Sequence, residues 1–274
     1  MPVLALEDGD VWYETVGEGT PLVFVHGGWM NADAWRAQVD RFAGEYRVVT
    51  LDLRGHGRTG ATDRRRYSVG LFADDLERLL DHLDVERPVL CGLSLGGMVV
   101  QEYLARHPDR ALGAVVAGPV RSMPPVDLPS AVKPFLSPLP GLAASLSFVG
   151  PTATFHSMLA SIRTTTGGPW LTVDPAVESW AMDAVGDVSP DEFRKVFSAL
   201  YTFDPPDLSH VVTPTLVLYG EREAAPVKRQ GERIAATVVD GRWREIPGAG
   251  HLVNQDNPEA FNAAVGEFLA GLDA

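Results

Sequence analysis

The chain has 274 residues, and 45% of them are hydrophobic, which suits one large folded domain and argues against global disorder. Acidic residues outnumber basic ones by 36 to 23, so the formal net charge is −13. Because such a chain repels phosphate groups and anionic lipids, neither nucleic acid nor a membrane surface is expected as a partner. Adaptation to high salt and biased genome composition would both produce this acidic excess.

Cysteine content and hydropathy point to a cytoplasmic protein. Cys91 is the only cysteine, which excludes a disulfide within the chain and a metal site built from several cysteines. The first residues lack the basic and apolar regions of a signal peptide, and no segment approaches the ~18 apolar residues needed to span a bilayer. We expect no metal and no organic cofactor, and the sequence leaves open whether the chain forms a homo-oligomer.

Short apolar segments alternate with amphipathic ones over the first 117 residues. Residues 11–16 and 21–25 flank a glycine-containing turn and are expected to form a hairpin. Residues 68–83 repeat apolar side chains at helical spacing. The remaining segments predicted here are helices at 33–43 and 95–106 and strands at 47–51, 88–91 and 112–117. Strands that alternate with helices in this way predict an α/β fold with a parallel sheet and helices on both faces.

The alternation stops near residue 119 and resumes near residue 214. Seven prolines from Pro119 to Pro140 predict an irregular segment, which helix-like stretches follow. We therefore expect residues 1–119 and 211–274 to form a core domain and residues 120–210 a helical cap. An insertion late in such a sheet lies over the carboxyl ends of the strands, where ligands bind. The predicted segments after residue 119 are helices at 144–164, 175–185, 190–200, 226–236 and 258–269 and strands at 214–219 and 243–246.

Gly92-Leu93-Ser94-Leu95-Gly96 lies between a predicted strand and a predicted helix. By itself the pattern occurs often by chance, but this setting is that of a nucleophile elbow, a sharp turn that exposes a serine. A serine hydroxyl needs an adjacent base to act as a nucleophile. The alternative is that Ser94 only caps the following helix.

His251 is the expected base for Ser94. It follows the last predicted strand in Gly248-Ala249-Gly250-His251, and the flanking glycines allow this loop to bring the imidazole over the sheet edge. It also follows the serine in the chain order typical of a nucleophile elbow. The other histidines fit this role less well, because they lie on helices, at a helix end or in the insertion.

Glu223 is the expected acid partner of His251. It follows the strand predicted at 214–219, and it would accept the Nδ1 proton of His251 and stabilise the imidazolium. Glu221 is the rival on the same loop. A surface salt bridge is the alternative role for Glu223.

The segment His26-Gly27-Gly28-Trp29 follows the strand predicted at 21–25. Its glycines allow backbone N–H groups to point at a developing oxyanion, together with the N–H of Leu95. A plain glycine turn is the alternative. Trp29 is expected to line a substrate pocket, although core packing is about equally compatible with its position.

These segments together resemble the α/β-hydrolase family, and within it the serine esterases, lactonases and cofactor-free haloperoxidase-like members. The resemblance covers almost the whole chain except the insertion. It implies an eight-stranded, mostly parallel sheet with a helical cap, Ser94 as nucleophile, His251 as base, and the N–H groups of Gly28 and Leu95 as the oxyanion hole. It assigns His56 a structural role. The motifs that carry it are His26-Gly27-Gly28, Asp52-Leu53-Arg54-Gly55-His56-Gly57, Gly92-Leu93-Ser94-Leu95-Gly96-Gly97, Gly220-Glu221-Arg222-Glu223, and Gly250-His251 followed by Pro258 and Phe261.

Two departures bear on what the resemblance implies. Family members more often have aspartate where this chain has Glu223, and some carry the acid after the strand predicted at 112–117 instead. No carboxylate follows that strand before Asp127, which favours Glu223. Epoxide hydrolases and haloalkane dehalogenases resemble this fold but use aspartate at the elbow, so Ser94 argues against both.

We therefore expect a carboxylic ester hydrolase that cleaves an ester or lactone bond of a small, fairly hydrophobic molecule through an acyl-enzyme on Ser94. Large apolar side chains in the predicted cap favour a hydrophobic substrate. One alternative is a ligand-binding, receptor-like protein with vestigial activity. Another is a C–C bond hydrolase or perhydrolase with the same triad, because a fold does not determine a reaction.

Overall fold

A computed structural model describes residues 2–123, 137–166 and 169–272, and for residues 164–166 it describes the backbone alone. Parts of the predicted cap, residues 124–136 and 167–168, therefore lie outside the described residues. The predicted division into a core domain and a cap stays a prediction.

Within the described residues, eight strands form one sheet, as expected. β2 pairs antiparallel with β1 and with β4, and all other neighbouring pairs are parallel. The mostly parallel α/β fold is thereby confirmed. The strands are β1 (Val3–Leu6), β2 (Gly9–Val16), β3 (Pro21–Val25), β4 (Arg47–Leu51), β5 (Val89–Leu93), β6 (Gly113–Ala117), β7 (Thr215–Gly220) and β8 (Gly241–Ile246), in the order β1-β2-β4-β3-β5-β6-β7-β8.

The hairpin predicted for residues 11–16 and 21–25 is wrong. β2 and β3 are not neighbours, because β4 lies between them and pairs with both. The partner of β2 on its other side is β1, a strand of four residues that the sequence analysis did not predict. β3 is buried on both faces, and a strand of this kind gains more by joining the interior of a parallel sheet than by forming an exposed ribbon.

The helices cover both faces of the sheet. Asn31 caps a 3-10 turn at Ala32–Trp35, and Ser68 caps α2 by accepting a hydrogen bond from the N–H of Leu71. Among the described residues, no helix is long and apolar enough to span a membrane. The helices are α1 (Arg36–Phe42), α2 (Val69–His82), α3 (Leu95–Arg106), α4 (Leu139–Thr166), α5 (Pro175–Gly186), α6 (Pro190–Thr202), α7 (Ala225–Thr237), α8 (Val253–Asp256) and α9 (Pro258–Ala270).

Three of these helices, α4, α5 and α6, lie in the chain between β6 and β7, and we call them the cap helices. α4 is interrupted at Gly150, which has a φ of 79° and precedes Pro151. α6 contacts the core through a buried carboxylate: Tyr67 donates to Glu192 Oε2 at 2.5 Å, and Lys195 of the same helix has its Nζ 2.7 Å from Glu192 Oε1. The hydrogen bond from Tyr67 joins this buried, ion-paired carboxylate to the core and so specifies where α6 contacts it.

Strand register determines which loops meet. β3, β5, β6, β7 and β8 run parallel, with Val25 beside Gly92, Leu93 beside Ala117, and Gly220 beside Ile246. Their carboxyl ends therefore share one edge of the sheet. The loops that carry the glycine segment, the elbow, the predicted acid and the predicted base all leave from this edge.

Candidate active site

Ser94 occupies a strained turn between β5 and α3. Its φ of 53° and ψ of −109° are rare for a residue with a side chain and cost on the order of 1–3 kcal/mol. The hydroxyl makes no capping hydrogen bond to α3, which argues against the helix-cap alternative. Instead, the turn directs the hydroxyl away from the helix backbone.

The glycines on either side of Ser94 are required by close backbone contacts. A Cβ at Gly92 would lie 2.2 Å from the carbonyl oxygen of Gly96, and a Cβ at Gly96 would lie 2.0 Å from that of Val25. Non-bonded contacts between a Cβ and a carbonyl oxygen are essentially never shorter than 3.0 Å. The turn can therefore close on itself only if position 92 lacks a side chain, and it can pack against β3 only if position 96 lacks one.

Ser94, His251 and Glu223, which the sequence analysis singled out, form one chain of hydrogen bonds. Ser94 Oγ lies 2.9 Å from His251 Nε2, and His251 Nδ1 lies 2.6 Å from Glu223 Oε2. A carboxylate only accepts hydrogen bonds, so Nδ1 carries the imidazole proton and Nε2 accepts from the serine hydroxyl. His251 and Glu223 are buried, while Ser94 is partly exposed.

The two candidate acids point to different places. Glu223 faces His251, and its second oxygen, Oε1, accepts hydrogen bonds from the N–H of Ala224 at 2.7 Å and from the indole N–H of Trp170. Glu221 is exposed, and its Oε2 accepts from the backbone N–H of Gly248 at 2.9 Å. The geometry thus favours Glu223 over Glu221 as the partner of His251.

Trp170, between α4 and α5, is a site residue that the sequence analysis missed. Its ring stacks on the imidazole of His251 with centroids 4.4 Å apart and planes 30° apart. Its carbonyl oxygen accepts the backbone N–H of His251 at 2.9 Å, and that of Leu171 accepts the N–H of Leu252 at 2.8 Å. No sequence signal indicates these contacts, because Trp170 is 53 positions from Glu223.

The two predicted oxyanion donors lie next to each other beside Ser94. A Cβ at Gly28 would lie 3.8 Å from Leu95 Cβ, and one at Gly27 would lie 3.5 Å from Ser94 Cβ. Among the described residues, neither Gly28 N–H nor Leu95 N–H donates a hydrogen bond within the protein. Both N–H groups thus lack a partner in the described structure, as their predicted role in an oxyanion hole requires.

Trp29 is buried at the junction between the core and the cap helices. Its ring stacks on Phe193 of α6 at 4.5 Å and meets Phe155 of α4 edge-on at 5.4 Å. Its indole N–H donates to the carbonyl of Phe193 at 3.3 Å. These contacts hold the cap helices beside the glycine segment. The predicted contact of Trp29 with substrate stays a prediction.

Two buried histidines support the glycine segment without reaching Ser94. His26 Nε2 accepts the N–H of Leu53 at 3.0 Å, so Nδ1 donates to Gly27 O at 2.7 Å. His56 Nδ1 donates to Arg54 O at 2.8 Å. Burial lowers the pKa of His26 to about 4 and that of His56 to about 3, so both are neutral at pH 7. These contacts fit the structural role expected for His56.

A serine hydroxyl bonded to an imidazole that is itself paired with a buried carboxylate is suited to nucleophilic attack on a carbonyl. Adjacent backbone donors suit the oxyanion that such an attack creates. Within the described part of the chain, no cluster of three or more histidine, cysteine or acidic side chains has the arrangement of a metal site.

Comparisons with known proteins identify the family that this chain resembles. The sequence profile of the alpha/beta hydrolase family matches residues 22–264. A non-heme chloroperoxidase, CPO-A1, from Kitasatospora aureofaciens is 30% identical, over 98% of this chain and 99% of that protein. The 3-oxoadipate enol-lactonase 2 of Acinetobacter baylyi is 26% identical, over 96% of this chain and 94% of that protein.

Among solved structures, that of a thermophilic esterase from Thermogutta terrifontis is similar to this chain, with a TM-score of 0.80 and 27% sequence identity. The match covers 96% of this chain and 93% of the esterase chain. Both sequence and structure therefore agree with the expectation drawn from the motifs. The chain belongs to the alpha/beta hydrolase family and is a hydrolase.

Proposed function

We propose that this protein is a serine hydrolase that cleaves an ester or lactone bond of a small, fairly hydrophobic molecule through an acyl-enzyme on Ser94. The observation that carries the proposal is the continuous hydrogen-bonded chain from Ser94 Oγ through His251 to Glu223, with separations of 2.9 and 2.6 Å. The esterase and lactonase among its relatives support the same class of reaction.

In the proposed mechanism, His251 Nε2 removes the hydroxyl proton as Ser94 Oγ bonds to the carbonyl carbon. Glu223 stabilises the resulting imidazolium through its hydrogen bond to Nδ1. The imidazolium then protonates the leaving oxygen as the carbon–oxygen bond breaks. Water, deprotonated by His251, attacks the acyl group and releases the acid and free Ser94.

The oxyanion of each tetrahedral intermediate would be bound by the N–H groups of Gly28 and Leu95. Removal of one such donor typically costs about 2.7–4 kcal/mol of transition-state stabilisation. Because both donors belong to the backbone, they need no reorganisation when charge develops. Their position beside Ser94 supports this assignment.

The preference for a small, hydrophobic substrate is supported by what lies over the glycine segment. A Cβ at Gly28 would lie 3.5 Å from Leu200 Cδ1 and 3.7 Å from Val196 Cγ1, both on α6. Apolar side chains of a cap helix thus stand directly beside the proposed oxyanion hole. A polar group at this point would lose its hydration without gaining a partner.

The proposed function is tested with a panel of p-nitrophenyl esters of short and medium acyl chains and a panel of lactones. Wild type should turn over some members, and Ser94→Ala should turn over none. Full activity of Ser94→Ala would contradict the acyl-enzyme. Failure of wild type on both panels would favour the receptor-like alternative, which a ligand-binding screen would then address.

The similarity to a bifunctional esterase/perhydrolase of Acinetobacter calcoaceticus, 27% identical over 98% of this chain and 99% of that protein, favours perhydrolysis as a second candidate function. Here hydrogen peroxide takes the place of water, and attack on the acyl-enzyme releases a peroxy acid and free Ser94. The same three residues would serve both reactions. Formation of a peroxy acid from a short ester and hydrogen peroxide, lost in Ser94→Ala, would support this candidate.

A further inference from the structure

Trp170 contacts both residues that are proposed to assist Ser94. Its indole N–H donates to Glu223 Oε1, and its ring covers one face of the His251 imidazole. Its backbone oxygen also accepts the N–H of His251 at 2.9 Å. One residue of the segment between α4 and α5 therefore holds the base and the acid at once.

We propose that Trp170 is a positioning residue, which holds the carboxylate of Glu223 in the orientation that serves His251. The proposal rests on the proposed function, in which Glu223 and His251 activate Ser94. Two donors, Trp170 and the N–H of Ala224, bind Oε1 and leave Oε2 for His251. This division of the two oxygens prevents the carboxylate from rotating.

The need for such a residue follows from the choice of glutamate at position 223. A glutamate has one more rotatable bond than an aspartate, so more conformational freedom must be removed to fix its carboxylate. A group that orients a catalytic base must also be held within about 0.5 Å of its productive position. The hydrogen bond from Trp170 provides this restraint from outside the loop that carries Glu223.

Trp170 is itself firmly held, as a positioning residue must be. A Cβ at Gly250 would lie 2.8 Å from Trp170 O, so the two chain segments approach each other closely. Asp256 joins them, since its Oδ2 accepts the N–H of Gly250 at 2.7 Å and its Oδ1 accepts the hydroxyl of Thr172. These contacts connect the segment to the base loop at several points.

Trp170→Phe tests the proposal, because it keeps an aromatic ring and removes the N–H donor together with one of the two indole rings. We expect kcat to fall about tenfold with little change in KM, because the orientation of the acid affects the transition state more than substrate binding. Trp180→Phe is the matched control. Trp180 is a partly buried tryptophan on α5, packed against the core, and its ring contacts neither His251 nor Glu223.

The same substitution in a Glu223→Gln background shows whether Trp170 acts through Glu223. If it does, Trp170→Phe has almost no further effect once the carboxylate is absent, because coupled residues are not additive. An equal loss of kcat in both backgrounds would overturn the proposal and leave Trp170 as a general packing residue. Unchanged kcat in the wild-type background would also overturn it.

A nuclear magnetic resonance measurement tests the proposal without any substrate. The Nδ1 proton of His251 lies in a short, buried hydrogen bond and should give a resolved downfield signal in wild type. Trp170→Phe should shift or broaden this signal, and Trp180→Phe should not. If wild type turned over no ester, the proposed function would fail while this signal still tested Trp170. An unchanged signal in Trp170→Phe would overturn the positioning role.

Discussion

Glu221 and Glu223 stand two positions apart on one loop, but only Glu223 reaches His251. Glu223 Oε2 lies 2.6 Å from the imidazole, whereas Glu221 Oε2 accepts the backbone N–H of Gly248 at 2.9 Å. The turn after β7 therefore directs one carboxylate into the site and the other onto the base loop. This relationship favours Glu223, which the sequence indicated as the acid, over its rival on the same loop.

Replacement of the two glutamates should therefore have opposite outcomes. Glu223→Ala is expected to lower kcat on a p-nitrophenyl ester by about 10³- to 10⁴-fold, because the imidazolium loses its partner. Glu221→Ala should leave kcat nearly unchanged. Steady-state kinetics of both variants decide the matter, and a larger loss in Glu221→Ala would contradict the assignment of the acid.

Two glycines within helices should respond differently to alanine. Gly96→Ala would place a Cβ 2.0 Å from Val25 O and should cost about 3 kcal/mol or more of unfolding free energy. A Cβ at Gly266 of α9 would have its nearest neighbouring atom 3.9 Å away. Gly266→Ala should therefore stabilise the protein by about 0.5–1 kcal/mol. Urea unfolding measures both, and a well-tolerated Gly96→Ala would contradict the close approach of the elbow to β3.

The buried histidines should make the protein sensitive to mild acid. Burial lowers the pKa of His26 to about 4 and that of His56 to about 3, from an ordinary value of 6.5. Below pH 6.5 the unfolded chain binds protons that the folded chain does not. The free energy of unfolding should therefore fall by up to about 2.7 kcal/mol per pH unit as the pH drops from about 6 to about 4.

Nearby Asp52 acts in the opposite sense. Burial raises its pKa from 3.8, so the folded chain takes up this proton first and gains some stability as acid is added. Urea unfolding at about pH 7 and about pH 5 tests the net effect. His56→Gln should show a shallower dependence than wild type. Equal stability at the two pH values would argue against neutral, buried histidines.

The buried ion pair within α6, whose carboxylate also accepts a hydrogen bond from Tyr67 of the core, gives a further test. Lys195→Met leaves Glu192 buried with only Tyr67 as partner and should cost about 3–5 kcal/mol of unfolding free energy. Lys228→Met breaks a more exposed pair with Glu245 and should cost less than about 1 kcal/mol. If the two losses measured by urea unfolding were equal, the buried pair would not have the importance assigned to it.

Local sequence patterns predicted the elements around the site well. The helix predicted at 95–106 coincides with α3, because the elbow glycines and His107 define its ends. The order of strand, elbow, acid and base also placed Ser94, Glu223 and His251 on loops that meet at one edge of the sheet. These features depend on local residue patterns and on the rule that ligand sites lie at the carboxyl ends of parallel strands. They can therefore be predicted from one sequence.

Long-range pairing was harder to predict. The segment before Gly17–Gly19 looks like half of a hairpin, but β2 pairs with β4, more than thirty residues away by the register of Val16 with Val48. Trp170 was similarly missed, because its role depends on contacts with Glu223 and His251 across the fold. Hydrophobic pattern describes which face of a segment is buried, but not which segment covers it.

The most direct test of the central claim is to find where a serine-reactive phosphonate binds. Intact-protein mass spectrometry followed by peptide mapping should show one adduct per chain, on the peptide that contains Ser94. The adduct should be absent in Ser94→Ala and slow to form when Glu223 is replaced by alanine. Ester turnover without any adduct at Ser94, or an adduct at another serine that abolishes turnover, would contradict Ser94 as the nucleophile.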